Sequence, residues 1–506
     1  MNSFEITKKE VTLETLFLII GNKPKISISN PVQGSIEQSR EELAMALSSG
    51  NPIYGVNTGF GKLESTRISD ADLDRLQKNL IISHAVGVGE YADPDVCYTT
   101  LLLKILCMAK GFSGVRLELV SFLLELINND LIPAFPVQGS VGASGDLAPL
   151  AHMSLPIFGM GFLWDGGTLV PVGDIFKDRG IEVPSLRYKE GLALINGTQF
   201  STALSVIALH KLGAVTRIAD IVSAMSLDAL ECSLSPFDSA IHSLKKHEGQ
   251  KRVAENIRTL ISGSKIMQSH SSCDRVQDMY SVRCIPQVHG ASRECISFSY
   301  RNTENEVNAV SDNPIVIDKE NIISAGNFHA EIIAKSLDVL ALAVSEISNI
   351  SERRIYSLID GRYNLPLFLV KDPGINSGLM MAQVTAAALA SENKNLSNPG
   401  STDTIPTSAG QEDHVSMAPI SGMKLLRSIA NLESILSIEL LCASQALDFR
   451  DRSTSPVLEK VLGMVRSEVP FIEKDNVIIA EQMKKIDGMI KNQKILNLVS
   501  KEVNLL

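Results

Sequence analysis

Three stretches of this chain repeat apolar residues at helical spacing over unusually long distances. Ile333, Leu337, Leu340, Val344 and Ile347 follow one another at alternating steps of four and three, which lays a continuous stripe along one helix face. Leu425, Ile429, Leu432, Leu436, Leu440, Ala443 and Leu447 make a second stripe. Residues 198–230 are apolar nearly throughout, with Lys211 and Arg217 as the main interruptions. A helix that is apolar around most of its circumference must be covered on several sides. Several such helices in one chain imply a large bundle, with subunit interfaces at its centre. The expected fold is mainly α: a large elongated helical bundle with a mixed, loop-rich N-terminal region.

That N-terminal region is punctuated rather than periodic. Gly55, Gly59, Gly61, Gly87, Gly89, Gly139, Gly142 and Gly145 interrupt short helical stretches, the kind of loops on which a scaffold carries working groups. Residues 101–108 and 117–127 form apolar helix faces, the second expected to end near Asn128-Asn129, ahead of Pro133 and Pro136. Gly166-Gly167 between apolar runs predicts a small hairpin. Beyond the charged cluster at 449–452 the pattern is of shorter amphipathic helices. With no internal repeat and no low-complexity linker, the chain is expected to be one continuous unit. Its subregions are a loop-rich part at 1–200, a long-helix bundle at 201–450 and C-terminal helices at 451–506.

Composition matters mainly for what it disfavours. A balance of 47 basic against 57 acidic residues, net −10, argues against nucleic acid or an anionic membrane as partner, and 5% aromatic residues leave little for base stacking. No run of uncharged apolar residues is long enough for a membrane span. The apolar residues 16–20 are preceded by Lys8, Lys9, Glu10 and Glu14 and followed by no small-residue cleavage site, unlike a secretory signal. Seven scattered cysteines, Cys273 among them, contain no C-x-x-C pair, so reduced thiols in the cytoplasm are expected. His289, His329 and His414 lack metal-ligand spacing and are expected to be structural, with no metal bound.

The densest chemical signal is Gly139-Ser-Val-Gly-Ala-Ser-Gly-Asp-Leu-Ala-Pro-Leu-Ala-His152. One reading is a glycine-rich loop feeding a helix, with Asp146 as N-cap and Pro149 in the first turn. Another is a self-made electrophile. The Gly145 amide nitrogen can attack the Ala143 carbonyl only in a tightly compressed backbone, which a residue without Cβ permits. Loss of water from the ring and from Ser144 then leaves an exocyclic methylene. The loop has neither the G-x-S-x-G spacing of a hydrolase nor the Lys-Ser/Thr ending of a phosphate loop, and Gly61-Lys62 is followed by Leu63.

The run from Gly142 to His152 resembles the signature of the aromatic amino acid lyase and aminomutase family. Six further segments are similar to family motifs in the family's order: Tyr54-Gly-Val-Asn-Thr-Gly-Phe-Gly61, Ser83-His-Ala85, Gly191-Leu-Ala-Leu-Ile-Asn-Gly-Thr198, Gln277-Asp-Met-Tyr-Ser-Val-Arg-Cys-Ile-Pro-Gln287, Gly326-Asn-Phe-His-Ala330 and Gln411-Glu-Asp-His-Val-Ser416. The resemblance covers residues 50–450. It implies a fumarase/aspartase-like helical architecture, a homotetramer whose active sites combine loops from three subunits, and a 4-methylidene-imidazol-5-one (MIO) group made from Ala143, Ser144 and Gly145. No dissociable cofactor is then required.

Roles for single residues follow from the same resemblance. Tyr54, otherwise readable as a packed tyrosine, becomes the base that takes the substrate β-proton, and its phenol must be tuned down for that task. Arg283, otherwise a structural ion-pair partner, holds the substrate carboxylate in a two-point contact. Asn196 and Tyr280 line the site beside the ring and the amino group, Gln277 supports them, and Phe328 lies against ring or substrate. His84 and Glu412 point to the histidine branch, because a carboxylate suits an imidazole N–H and would be stranded by a bare phenyl ring. The expected reaction is deamination of L-histidine to trans-urocanate and ammonia. The substrate amino group attacks the methylidene, with attack by the imidazole carbon as the competing account. A tyrosine or phenylalanine lyase, an aminomutase, and a catalytically silent scaffold of the same fold are the alternatives.

Overall fold

A computed structural model describes residues 2–269 and 275–506, so Cys273 lies outside the described residues. The three apolar stretches fall on the long helices Gln199–Ala229, Glu331–Ile359 and Ala418–Leu447, and Ile285–Val307 is a fourth long helix that no such stretch announced. Ile333, Leu337, Leu340, Val344 and Ile347 are all buried, as are the seven stripe residues of Ala418–Leu447. Helix predominates and the described strands are short, the longest having four residues.

The chain divides into two compact units, and not at the sequential borders of 200 and 450. One comprises the chain to Ile207, Ser299–Asp338 and Pro399–Met423; the other comprises Ala208–Phe298, Val339–Asn398 and Lys424–Leu506. Each border falls inside or beside a long helix, where uninterrupted periodicity hides it from a reading along the sequence.

The first unit holds the loop-rich part. Pro94–Ala109 and Leu117–Asn128 are the two expected N-terminal helices. Leu117–Asn128 stops where Asn128 turns its amide onto Ile26, donating to its carbonyl at 2.8 Å and accepting from its N–H at 2.7 Å. This ties the helix end to Lys25–Ile28, a strand paired in parallel with Ser3–Ile6. The expected hairpin is Phe162–Asp165 with Thr168–Pro171, extended on one side by Ile132–Ala134.

The second unit contains helices Glu248–Ile261, Met380–Leu396, Pro456–Glu468 and Ile479–Lys491. A fully buried ion pair sits in it: Arg354 Nε and Nη2 donate to Glu439 at 2.5 and 2.9 Å. Ser226 and Ser351 complete that carboxylate's partners at 2.7 and 2.5 Å. Four donors on one carboxylate offset much of the cost of taking both charges out of water.

Candidate active site

The segment Ala143-Ser144-Gly145 is pressed against a second loop of the first unit. Gly145 has φ +78° and pairs in parallel with Gly197, itself at φ +127°. A Cβ on Gly145 would lie 2.1 Å from the Gly197 carbonyl oxygen, and one on Gly197 would lie 2.3 Å from the Ser311 carbonyl oxygen. Both positions therefore require glycine, and they stack three backbone segments without a side chain between them. Asp146 N–H donates to the Gly197 oxygen at 2.8 Å and fixes the approach.

Asp146 does precede helix Leu147–Ser154, but its carboxylate makes no cap bond there. It accepts instead from Ser201 N and Oγ at 2.8 and 2.7 Å, and so serves the unpaired amides at the start of Gln199–Ala229. Full burial pushes this carboxyl up to about 6, against the pull of the Ser201 bonds. On the other side, the buried Lys104 ammonium donates to Ala193 O at 3.0 Å and Asn196 O at 2.7 Å. It closes the carbonyl end of helix Glu190–Ile195 just before Gly197. Lys104 and Ser201, which hold the groups beside this loop, were not among the expected residues; a lysine inside the apolar run 101–108 was the available signal.

Beside this loop lies a cavity of about 650 Å³ lined by Tyr54, Phe60, Leu63, His84, Ser144, Leu147, Leu192, Asn196, Ser408 and Glu412, among others. Its size and mainly apolar wall with a few polar groups suit a small amino acid. Five of the expected residues, Tyr54, His84, Ser144, Asn196 and Glu412, are thus brought together, with Ala143 and Gly145 flanking Ser144.

Their contacts define what each can do. Asn196 Nδ2 donates to the Ser144 carbonyl at 3.2 Å, while its Oδ1 is buried with no hydrogen-bond partner among the described residues. His84 ends helix Leu73–His84 and its Nδ1 lies 2.7 Å from Leu80 O. A carbonyl only accepts, so Nδ1 carries the proton of that bond and Nε2 is the nitrogen left for other partners. Ser144 Oγ donates to Glu412 Oε1 at 2.8 Å. Tyr54 Oη accepts from Gly61 N–H at 3.1 Å. Burial pushes the Tyr54 phenol above its ordinary value, the Gly61 amide opposes this, and the carboxylates of Glu412 and Glu64 push it further up. The tuning expected from sequence thus runs the other way within this chain, first because the phenol is buried and then because the carboxylates near it are negative.

Gln277, Tyr280 and Arg283 belong to the second unit and do not line this cavity. Tyr280 is 70% exposed, and the Arg283 guanidinium lies 4.5 Å from the centre of its ring. Among the described residues Arg283 Nε is buried without a hydrogen-bond partner. Arg354 Nη1 lies 3.4 Å from Ser281 O and so reaches the helix Tyr280–Arg283. Phe328, partly buried in the first unit, is not a lining residue either. Of the three motif histidines, His289 Nδ1–H donates to Asp220 Oδ1 at 2.8 Å in the second unit, and His329 and His414 meet edge to face at 5.8 Å in the first.

Known proteins match this architecture. The sequence fits the aromatic amino acid lyase family over residues 11–467. The histidine ammonia-lyase of Burkholderia cenocepacia is 46% identical over 474 residues, 93% of this chain and 94% of that relative. The crystal structure of histidine ammonia-lyase from Trypanosoma cruzi has a TM-score of 0.90 at 38% identity, covering 99% of this chain and 96% of that one. Tyrosine aminomutase from Streptomyces globisporus has a TM-score of 0.93 at 30% identity, covering 100% of both chains. Fold and site together define a lyase. The match runs through both units and all the motifs, and the chain belongs to the aromatic amino acid lyase family.

Proposed function

We propose that this enzyme removes ammonia from L-histidine without oxidation, giving trans-urocanate and ammonia, the first step of histidine degradation. The observation that carries the substrate is Glu412, whose carboxylate lines the cavity with Oε1 beside Ser144. There it accepts an imidazole N–H, and a phenyl ring in its place leaves the charge without a partner. Relatives of near-identical length that are named histidine ammonia-lyase support the same substrate.

Ala143, Ser144 and Gly145 fit the MIO group, because the left-handed Gly145 and its close approach to Gly197 provide the compression that ring closure needs. When formed, that group supplies an electrophilic methylidene carbon that makes the substrate nitrogen a good leaving group. Asn196 Nδ2 holds the Ser144 carbonyl oxygen, where a donor draws electron density, and its unpartnered Oδ1 accepts from the substrate amino group. His84 Nε2 offers a further polar contact. Tyr54 Oη takes the β-proton. Arg283 binds the substrate carboxylate through its planar fork, supported by Gln277, while Tyr280 lies by the amino group and Phe328 packs against ring or substrate. No dissociable cofactor takes part.

The assembly in this reading is a homotetramer whose sites combine loops from three subunits. Its supports are the exposed Tyr280, an Arg283 Nε without a hydrogen-bond partner among the described residues, and a Tyr54 phenol pushed up by burial and by the carboxylates of Glu412 and Glu64. The enzyme is assigned to the cytoplasm: Cys97, Cys107, Cys232 and Cys442 are free and buried, and no described helix is long and apolar enough to cross a membrane. Proton NMR of a reaction with L-histidine tests the proposal. Urocanate and ammonia are expected; a β-amino acid as end product makes the enzyme an aminomutase, and unchanged histidine rejects the substrate.

A further inference from the structure

We propose that Thr407 and Ser408 are specificity-positioning residues: they hold one oxygen of Glu412 so that the other is presented to the substrate ring as a single fixed acceptor. This rests on the reading that the cavity takes histidine. Glu412 Oε2 accepts from Thr407 Oγ1 at 2.7 Å and from Ser408 Oγ at 2.6 Å. Oε1 accepts from Ser144 Oγ alone among the described side chains, at 2.8 Å. The clamp is local. Thr407 and Glu412 pair in antiparallel fashion, Thr407 N–H donating to Glu412 O at 2.8 Å, and the chain turns between them through Ser408 and Ala409 at φ +50° and +55°. Two consecutive non-glycine residues in the left-handed region are costly, and they persist here in a turn that folds the glutamate back onto two hydroxyls.

The two oxygens have different fates. When Ser144 is dehydrated, its Cβ–Oγ bond breaks and Oγ leaves as water, taking one proton from Ser144 Cα and keeping its own. Oε1 then loses its donor while Oε2 keeps both of its own. The result is a carboxylate fixed at one end and open toward the cavity at the other. An imidazole N–H replaces the lost hydroxyl donor; a phenyl ring cannot, and the open oxygen stays unpaired. Sites that must pair a buried polar group reject analogues lacking the partner far more strongly than apolar pockets reject a size difference. Thr407 and Ser408 keep Glu412 from rotating away from that duty.

The test uses full-length T407V, S408A and the double variant, with T407S as the conservative exchange. Intact mass reports ring formation. Inhibition constants for 3-(imidazol-4-yl)propionate and 3-phenylpropionate, which share a carboxylate and differ in the ring, report discrimination. The double variant is expected to carry the ring as wild type does and to lose about tenfold or more of its imidazole-over-phenyl preference. KM for histidine should rise more than kcat falls, and T407S should restore what T407V loses. General damage weakens both inhibitors alike, so an unchanged preference ratio overturns the clamp. A folded double variant without the ring also overturns it, because the clamp acts after ring formation. A wild type that binds the two inhibitors equally rejects the histidine reading itself, an outcome distinct from failure of the clamp alone.

Discussion

Replacing Gly145 with alanine attacks the close contact with Gly197 on which the proposed ring closure rests. The new Cβ would meet Gly197 at 2.1 Å from its oxygen, 2.5 Å from its carbonyl carbon and 2.7 Å from its nitrogen, all backbone atoms with no rotamer to escape into. It would also occupy φ +78°, where a side chain costs about 1–2 kcal/mol. Relief means parting the two loops and losing the Asp146 N–H to Gly197 O bond of 2.8 Å, worth about 1 kcal/mol. Together these take about 2–3 kcal/mol from the compressed geometry, or about 30- to 150-fold from its population and the rate of closure. The assay is intact mass at intervals after a pulse of expression, following the fraction short of two waters. Circular dichroism confirms that the variant folds. Wild type should convert fully while G145A lags by that factor; conversion at the wild-type rate and extent refutes the compression argument.

Further outcomes follow from single residues. Tyr54→Phe should lose about 100- to 10,000-fold in turnover while keeping the ring by mass; wild-type turnover rejects Tyr54 as the base. Burial lowers the Lys104 ammonium to about 8, so between that value and the ordinary lysine range the unfolded chain binds more protons and stability rises with pH. That contribution is present at high pH and lost as pH falls through about 8. Melting temperatures of Lys104→Met should therefore depend less on pH across about pH 8 to 10, and an unchanged slope contradicts the assignment. Arg354→Met strands the buried Glu439 charge and should cost about 3–5 kcal/mol, seen as a lower denaturant midpoint; an unmoved midpoint shows that the pair is not holding the second unit together.

What the sequence revealed and what it hid divide along physical lines. The long helices were legible because burial on several sides needs an apolar residue every three or four positions, and Leu425 to Leu447 carry that need openly. The loop at 139–152 was legible because close backbone approach admits only small residues. Asp146 looked like the cap of its own helix, yet its carboxylate serves Ser201, 55 residues away, and local sequence cannot say which of two helix starts wins. Lys104 stands out in its apolar run, but what it serves was hidden for the same reason: its acceptors, Ala193 and Asn196, lie 89 and 92 residues on. Thr407 and Ser408 sit just outside the motif holding Glu412, and the left-handed turn at Ser408 and Ala409 brings their hydroxyls onto it. The interleaved units follow from long helices that run on past four of the five borders, which no composition shift marks.

The selectivity of the proposed site is strict: it deaminates histidine and leaves the other aromatic amino acids alone. Its most direct test is ultraviolet absorbance of the purified enzyme with L-histidine, L-tyrosine and L-phenylalanine in parallel. The account predicts rising urocanate absorbance with histidine only. A cinnamate-type product from tyrosine or phenylalanine, with histidine untouched, would contradict it.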